Sequence, residues 1–301
     1  MLPEPASPWL YALLARFKRL CLLPKSARLR CVLLEGGARK CGSPLRLCYL
    51  GEGETLPYLE GFFFEQSWCT DLSTYSPWGL GRAVERLSGL ADIVCLELNR
   101  LLDPLVPAGG YRSFSWIRHK AVLDGSPFGT RRRKVEDVYG RKIRQHRYVP
   151  RMTRDAEALS DFYHRQYVPY VTSRYGREVR VRSFGEVKSA LRSGFLLQIF
   201  EGEEWVSGVV CSRRANSVRV LVGGLIPAYQ YHLKRGAFSA CEYFLFRWAA
   251  ENGIEVVDML RSRPNLKDGV FEFKRKWGAV PHMDQWPHTS LWLYPSAGAP
   301  L

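Results

Sequence analysis

The chain has 301 residues, enough for one large domain or two of ordinary size. A hydrophobic content of 46% with nine tryptophans excludes intrinsic disorder and predicts a substantial aromatic interior. Lys and Arg number 44 against 29 Asp and Glu, and the resulting net charge of +15 suits phosphate-bearing partners: a nucleotide donor, RNA or an anionic lipid head group.

Residues 1–28 read as an amphipathic segment. Trp9 to Leu23 mixes apolar bulk with Arg16, Lys18 and Arg19, the composition of a helix lying on a membrane surface or docked on the protein's own core. No basic, apolar and cleavage-site order marks a signal peptide, and no apolar stretch reaches the roughly 18–20 residues that span a bilayer. The eight cysteines form no C-x-x-C pair, and several sit in apolar runs, as Cys95 does. Reduced thiols and a cytoplasmic protein are expected, with peripheral contact at the inner membrane face through the N-terminal helix.

From Leu29 short strands are predicted at Arg30–Glu35, Leu45–Leu50 and Gly61–Glu65, separated by Gly36-Gly37 and Gly51-Glu-Gly53. A helix follows over Trp78–Ser88, then a buried strand over Ala91–Leu98 and another strand within Tyr111–Leu123. Between Arg131 and Arg151 nine Lys and Arg residues face only Glu136 and Asp137. This run reads as the crossover between two halves, 29–152 and 153–301, and as either a solvated helix face or a polyanion-binding surface.

The second half is clearer. A helix is expected over Thr153–Tyr175, and Ser183-Phe-Gly-Glu186 has capping-box spacing for a second. Three strands follow, Phe195–Glu201, Glu204–Ser212 and Ser217–Gly224, at hairpin spacing and therefore antiparallel. A helix over Ser239–Asn252 is ended by Gly253, and strand Ile254–Met259 and helix Asp268–Gly278 complete the unit. An antiparallel run before the helix gives an α/β fold with a mixed sheet and excludes a Rossmann arrangement.

The most informative stretch is Tyr229–Trp248. Ser239-Ala-Cys-Glu242 has capping-box spacing, and Lys234, Arg235 and Gly236 stand just before it. Free N–H groups, two cations and a glycine make a phosphate cradle from Lys234, Arg235, Gly236, Ala237, Phe238 and Ser239, or an ordinary capped helix behind a basic loop. Asp258 at a strand end, near Arg261 and Arg263, and Tyr229, Tyr231 and Glu242 near the loop are candidates for proton transfer. His282, Asp284 and His288 lack a further obvious ligand, so no metal is expected.

The stretch Gly236–Asp258 resembles the helix–strand core of GNAT (Gcn5-related N-acetyltransferase) proteins. Asp268-Gly-Val-Phe-Glu-Phe-Lys-Arg-Lys-Trp-Gly278 resembles the G-[ILV]-x-x-[FY]-K-x-x-[FW]-G ending of the Fem-type branch, which includes peptidoglycan aminoacyltransferases. The resemblance covers residues 153–282 and implies a GNAT fold, a mixed sheet flanked by helices, in two tandem units. It implies an N-acyltransferase in which an amine attacks a carbonyl held between sheet strands, with Lys274 at the donor site. GNATs that use acetyl-CoA carry [QR]-x-x-G-x-[GA] at the pyrophosphate loop; here Leu233-Lys-Arg-Gly236-Ala-Phe238 lacks the first Gln or Arg and the last small residue.

Three functions follow from these features. The first is transfer from acetyl-CoA or another acyl-CoA to an amine of a sugar, lipid or small molecule. The second is aminoacyl-tRNA-dependent transfer to a cell-wall precursor, favoured by the Arg131–Arg151 run. The third is a non-catalytic GNAT-like module that binds nucleic acid or a membrane surface.

Overall fold

A computed structural model describes residues 16–17, 20–176, 181–283 and 289–296. The predicted helix at Trp9–Leu23 falls largely outside them. The chain forms two compact units, Met1–Trp116 with Asp284–Leu301, and Ile117–Met283. The boundary read from the sequence, 152/153, falls inside the second.

Unit 1 holds a six-stranded mixed sheet in the order β3-β1-β2-β4-β13-β5. Its strands are β1 (Leu29–Ala38), β2 (Pro44–Gly51), β3 (Phe64–Tyr75), β4 (Ile93–Asn99), β5 (Tyr111–Ser113) and β13 (Thr289–Pro295). Helices α1 (Leu56–Phe63) and α2 (Leu80–Ser88) accompany it. The predicted strand at Gly61–Glu65 is the junction of α1 and β3. β4 is buried along its whole length, parallel to β2 on one side and antiparallel to β13 on the other. On it, Glu97 is fully buried and accepts from the Thr55 amide at 2.9 Å, the Thr55 hydroxyl and the Tyr49 hydroxyl. Gly51 is required beside this network, since a Cβ there would stand 2.5 Å from Tyr49 Oη and 2.7 Å from Glu97 Cβ.

Unit 2 holds a seven-stranded mixed sheet, β12-β6-β11-β10-β9-β8-β7. Its strands are β6 (Ile117–Val122), β7 (Tyr148–Thr153), β8 (Gly194–Glu201), β9 (Glu204–Arg214), β10 (Ser217–Leu225), β11 (Val256–Ser262) and β12 (Val280–Met283). The expected strand within Tyr111–Leu123 is two strands, β5 and β6, serving different sheets. β6 pairs with β11 and β12, which carries unit 2 back to residue 117.

The basic run forms a helical segment, α3 (132–146), with a π-turn over Glu136–Gly140. The next helix, α4 (156–175), is capped by Asp155 and also contains a π-turn. α5 (Phe184–Leu191) starts with the predicted capping box: the Ser183 amide donates to Glu186 Oε2 at 2.9 Å, and the Glu186 amide to Ser183 Oγ at 3.3 Å. α6 (Tyr229–Arg235), α7 (Ala237–Glu251) and α8 (Gly269–Lys276) complete the unit. β8 to β10 form the expected antiparallel run, β7, not predicted as a strand, extends it against β8, and β10 then meets β11 in parallel. This is the mixed α/β architecture expected of a GNAT domain.

Candidate active site

The site begins where two parallel strands part. β10 and β11 pair over three residues only, Ser217↔Val256, Val218↔Val257 and Arg219↔Asp258. Beyond them β10 carries a register shift between Val220 and Val222, which leaves Leu221 as an extra residue, and β11 pairs irregularly with β6 between Asp258 and Arg261. Leu260 there holds a positive φ of 59°, a strained conformation for a branched side chain. The strands' later halves thus leave a wedge, flanked by α7 and α8.

The predicted phosphate cradle is built differently from its sequence reading. Lys234 and Arg235 end helix α6, and Gly236, with φ 89°, is the hinge at which α7 begins. α7 starts at Ala237 rather than Ser239, with no side-chain cap; the Ser239–Glu242 capping box does not form. A left-handed glycine at the junction sets the helix start, and Glu242 turns inward. The Lys142 stem lies over Gly236, with Cδ 3.1 Å from where a Cβ would stand, and its ammonium donates to the Lys234 carbonyl at 2.7 Å. Arg235 is committed to an ion pair with Glu201, and its Nη1 also meets the Tyr231 hydroxyl. Lys234 is exposed, and Ala237 is fully buried.

Phe238 occupies the wedge. Its ring lies against Gly223 of β10, where a Cβ would be 2.8 Å from Cζ, and it stacks with Tyr170 at 5.9 Å and tilts on Phe273 at 5.7 Å. Phe238 therefore fills the wedge, and the Lys142 stem covers Gly236, where the resemblance would place a CoA pyrophosphate; the loop residues as arranged do not fit that group.

Two buried ionisable groups lie deeper. Glu242 is 2% exposed, and its Oε2 has no hydrogen-bond partner. Burial pushes its pKa up to about 7, partly opposed by the charge of Lys274. Lys274 is 7% exposed and donates from Nζ to the Arg261 carbonyl at 2.6 Å. Burial lowers it to about 8, against the raising effect of Glu242, Asp258 and Asp268. Each group's charge acts on the titration of the other, and burial brings both toward neutrality.

Asp258, read from the sequence as a proton-transfer candidate, is bound by Arg118 and Arg219. Arg118 Nε donates to Oδ1 at 3.0 Å, its Nη2 to Oδ2, and Arg219 Nε to Oδ2 at 3.0 Å. Burial opposes ionisation, yet the Arg118 hydrogen bonds and the two guanidinium charges outweigh it and hold the carboxyl below its usual range. Tyr231 is 54% exposed and lines a surface groove of about 640 Å³ with Tyr170, Tyr229, Leu225, Pro227 and Ala228.

Several residues of the site carried no local signal in the sequence: Arg118, Arg219, and the buried pair His119–Ser262. His119 Nε2 lies 2.8 Å from Ser262 Oγ, which itself donates to the Arg263 carbonyl. Burial, then the charges of Lys274 and His282, lower the His119 pKa to about 4, so the ring is neutral. Among the described residues no group of three or more His, Cys, Asp or Glu converges to hold a metal; Asp284 and His288 lie outside them. No described helix is long and apolar enough to cross a membrane.

The basic segment spans the same face. Arg131 donates to the Arg275 carbonyl, Lys142 reaches Lys234, and the Tyr243 hydroxyl holds Glu136 at 2.9 Å. Arg132, Lys134, Arg141 and Arg147 are exposed and make no ion pair among the described residues.

No protein-family model matches the chain, and no curated protein matches it. Among solved structures the chain is similar to L-PGS from Bacillus licheniformis, at 13% identity and a TM-score of 0.43, covering 100% of this chain and 95% of that one. It is also similar to FemX (12% identity, TM-score 0.42, 87% and 83% covered). A GCN5-related N-acetyltransferase from Sphaerobacter thermophilus gives 12% identity, TM-score 0.39, and 84% and 74% coverage.

Proposed function

We propose that unit 2 is an N-acyltransferase whose donor is an activated ester carried on RNA, an aminoacyl-tRNA, rather than acyl-CoA. The observation that carries this reading is Phe238 seated in the wedge against Gly223, where a CoA-using domain needs a small residue. The exposed cations of α3 support it, because an RNA donor binds through many phosphate contacts. In the reaction an amine nitrogen bonds to the ester carbonyl carbon, and the ester C–O bond then breaks. The amine's proton leaves through the site and reaches the departing hydroxyl. The Lys274 ammonium, kept charged by Glu242, faces the negative charge that develops on the carbonyl oxygen, and ionised Glu242 completes the proton path. Asp258 positions β6, β10 and β11 through its two arginines.

Transfer from acyl-CoA is the second reading. It is favoured by the exposed Lys234 cation beside the hinge at Gly236, where the α7 N-terminus could receive a phosphate if the Lys142 stem moved aside.

Calorimetry at two salt concentrations separates these readings, using acetyl-CoA, a long-chain acyl-CoA, and aminoacylated and deacylated tRNA. The RNA-ester reading expects binding that prefers aminoacylated tRNA and weakens with salt. Saturable CoA binding that a Lys234→Ala/Arg235→Ala variant weakens overturns it in favour of acyl-CoA. Equal binding of charged and uncharged tRNA points to a non-catalytic module.

A further inference from the structure

A second concave surface of unit 2 lies away from the wedge, at the opposite end of the sheet. There the end of β7, the start of β8 and the end of β9 meet: Thr153 pairs with Leu196, and Gly194 with Ser212. β10 enters the sheet at this end and leaves it at the wedge. A groove of about 490 Å³ opens here, lined by Arg154, Gly185, Lys188, Ser189 and Arg192 with Ala156 and the buried Leu191.

Four of these residues, Gly185, Lys188, Ser189 and Arg192, recur at helical spacing and share one face of α5 and its C-cap. Gly185 leaves that face open: a Cβ there would meet nothing within 4 Å. Arg154 closes the other side. Its Nε donates to the Gly194 carbonyl at 2.9 Å, which fixes the guanidinium while its two terminal nitrogens remain to meet a ligand.

The charge of this groove is uncompensated. Among the described residues Arg154, Lys188 and Arg192 take part in no ion pair, and no carboxylate lines the groove. Of the neighbouring acids, Asp155 Oδ2 accepts from the Ala158 amide at 2.7 Å and Glu186 Oε2 from the Ser183 amide, while Glu157 on the first turn of α4 is exposed and outside the groove lining. Arg154, Lys188 and Arg192 are exposed around one concavity, with Arg154 anchored by its bond to Gly194, and their like charges favour an anion between them. Two guanidinium groups favour the planar, multidentate contacts that phosphate oxygens offer. The volume falls within the range of small-ligand sites, roughly 300–1,000 Å³.

We infer that this groove binds a small phosphate-bearing ligand, a phosphomonoester or diphosphate, at a site separate from the wedge. The inference does not depend on the identity of the acyl donor.

Pyrophosphate is the probe, titrated calorimetrically into the full chain. Saturable binding is expected, weakened at least tenfold in Arg154→Gln/Lys188→Gln/Arg192→Gln. A control, Lys40→Gln/Arg82→Gln/Arg86→Gln, removes the same charge from exposed positions of unit 1 and is expected to leave the affinity unchanged. Circular dichroism of both variants establishes that each is folded. Absence of saturable binding, or equal weakening in both variants, overturns the proposal. It is also overturned if a 20-nucleotide RNA requires the groove cations while pyrophosphate does not.

Discussion

The Phe238 ring rests on the Cα of Gly223, so close that a single added methyl would overlap its Cζ at 2.8 Å. One residue thereby closes the space that the divergence of β10 and β11 opens. The same ring reaches Tyr170 on α4 and Phe273 on α8, which ties both helices to the wedge.

Removing that ring should change what the wedge accepts. Phe238→Ala is expected to create binding of acetyl-CoA where the parent chain shows none, at a cost in stability of about 3 kcal/mol from lost burial and the cavity left behind. Isothermal titration and a urea melt measure the two effects separately. A variant that melts as expected yet still ignores CoA would show that the Phe238 ring is not what excludes it.

Lys274 and Glu242 should report on each other. The carboxylate raises the Lys274 pKa, so Glu242→Gln is expected to move the Lys274 titration below its value of about 8. Carbon-13 NMR of reductively methylated lysines follows it directly. In turnover, ionised Glu242 and protonated Lys274 define a narrow bell between about 7 and 8, with apparent values that belong to the pair. Glu242→Gln should erase the acid limb and cost on the order of 10²-fold in kcat. An unchanged Lys274 titration would mean the two groups do not communicate.

Local chemistry was legible in the sequence, and long-range pairing was not. The Ser183–Glu186 box lies within four residues, and it formed as read. The hairpins joining β8, β9 and β10 were equally local. By contrast β3 is exposed along nearly all its twelve residues, so no period-two apolar pattern marked it. Val256 and Val122 are partners across β11 and β6, and nothing near residue 122 announces that pairing. The capping spacing at Ser239–Glu242 misled because Gly236 starts the helix two residues earlier and packing turns Glu242 into the core. For Asp258 the sequence offered no sign of its partners Arg118, 140 residues away, and Arg219, 39 away.

Asp258→Asn should be more costly to the fold than to the chemistry. It keeps the shape but leaves Arg118, whose side chain is 13% exposed, without its charge partner. Breaking such a buried pair from one side costs about 3–5 kcal/mol. The wild-type carboxyl is depressed in the fold, so its stabilisation is present above the unfolded value of 3.8 and fades as pH falls through its folded value. The Asn variant is therefore expected to lose stability at pH 7 and little further stability in acid. Denaturant melts at both pH values measure this, and a variant as stable as wild type at pH 7 would remove Asp258 as the clamp of the three strands.

His119 and Glu242 should pull stability in opposite directions over the same pH range. Glu242 is raised in the fold from 4.5 to about 7, so between those values the native state holds the extra proton, and stability falls as pH rises. His119 is lowered from 6.5 to about 4, so between those values the unfolded state holds the extra proton, and stability rises with pH. Each effect amounts to about 3 kcal/mol at most, from 1.36 kcal/mol per unit. The two slopes oppose between pH 4.5 and 6.5, and wild type should be nearly flat there. Glu242→Gln removes the falling slope and leaves a protein that gains stability from pH 4.5 to 6.5, whereas His119→Phe leaves one that loses it. Urea melts at half-unit intervals read both slopes. Parallel profiles for the two variants would mean that neither burial sets the titration of its group, and the paired reading of the site would lose its electrostatic basis.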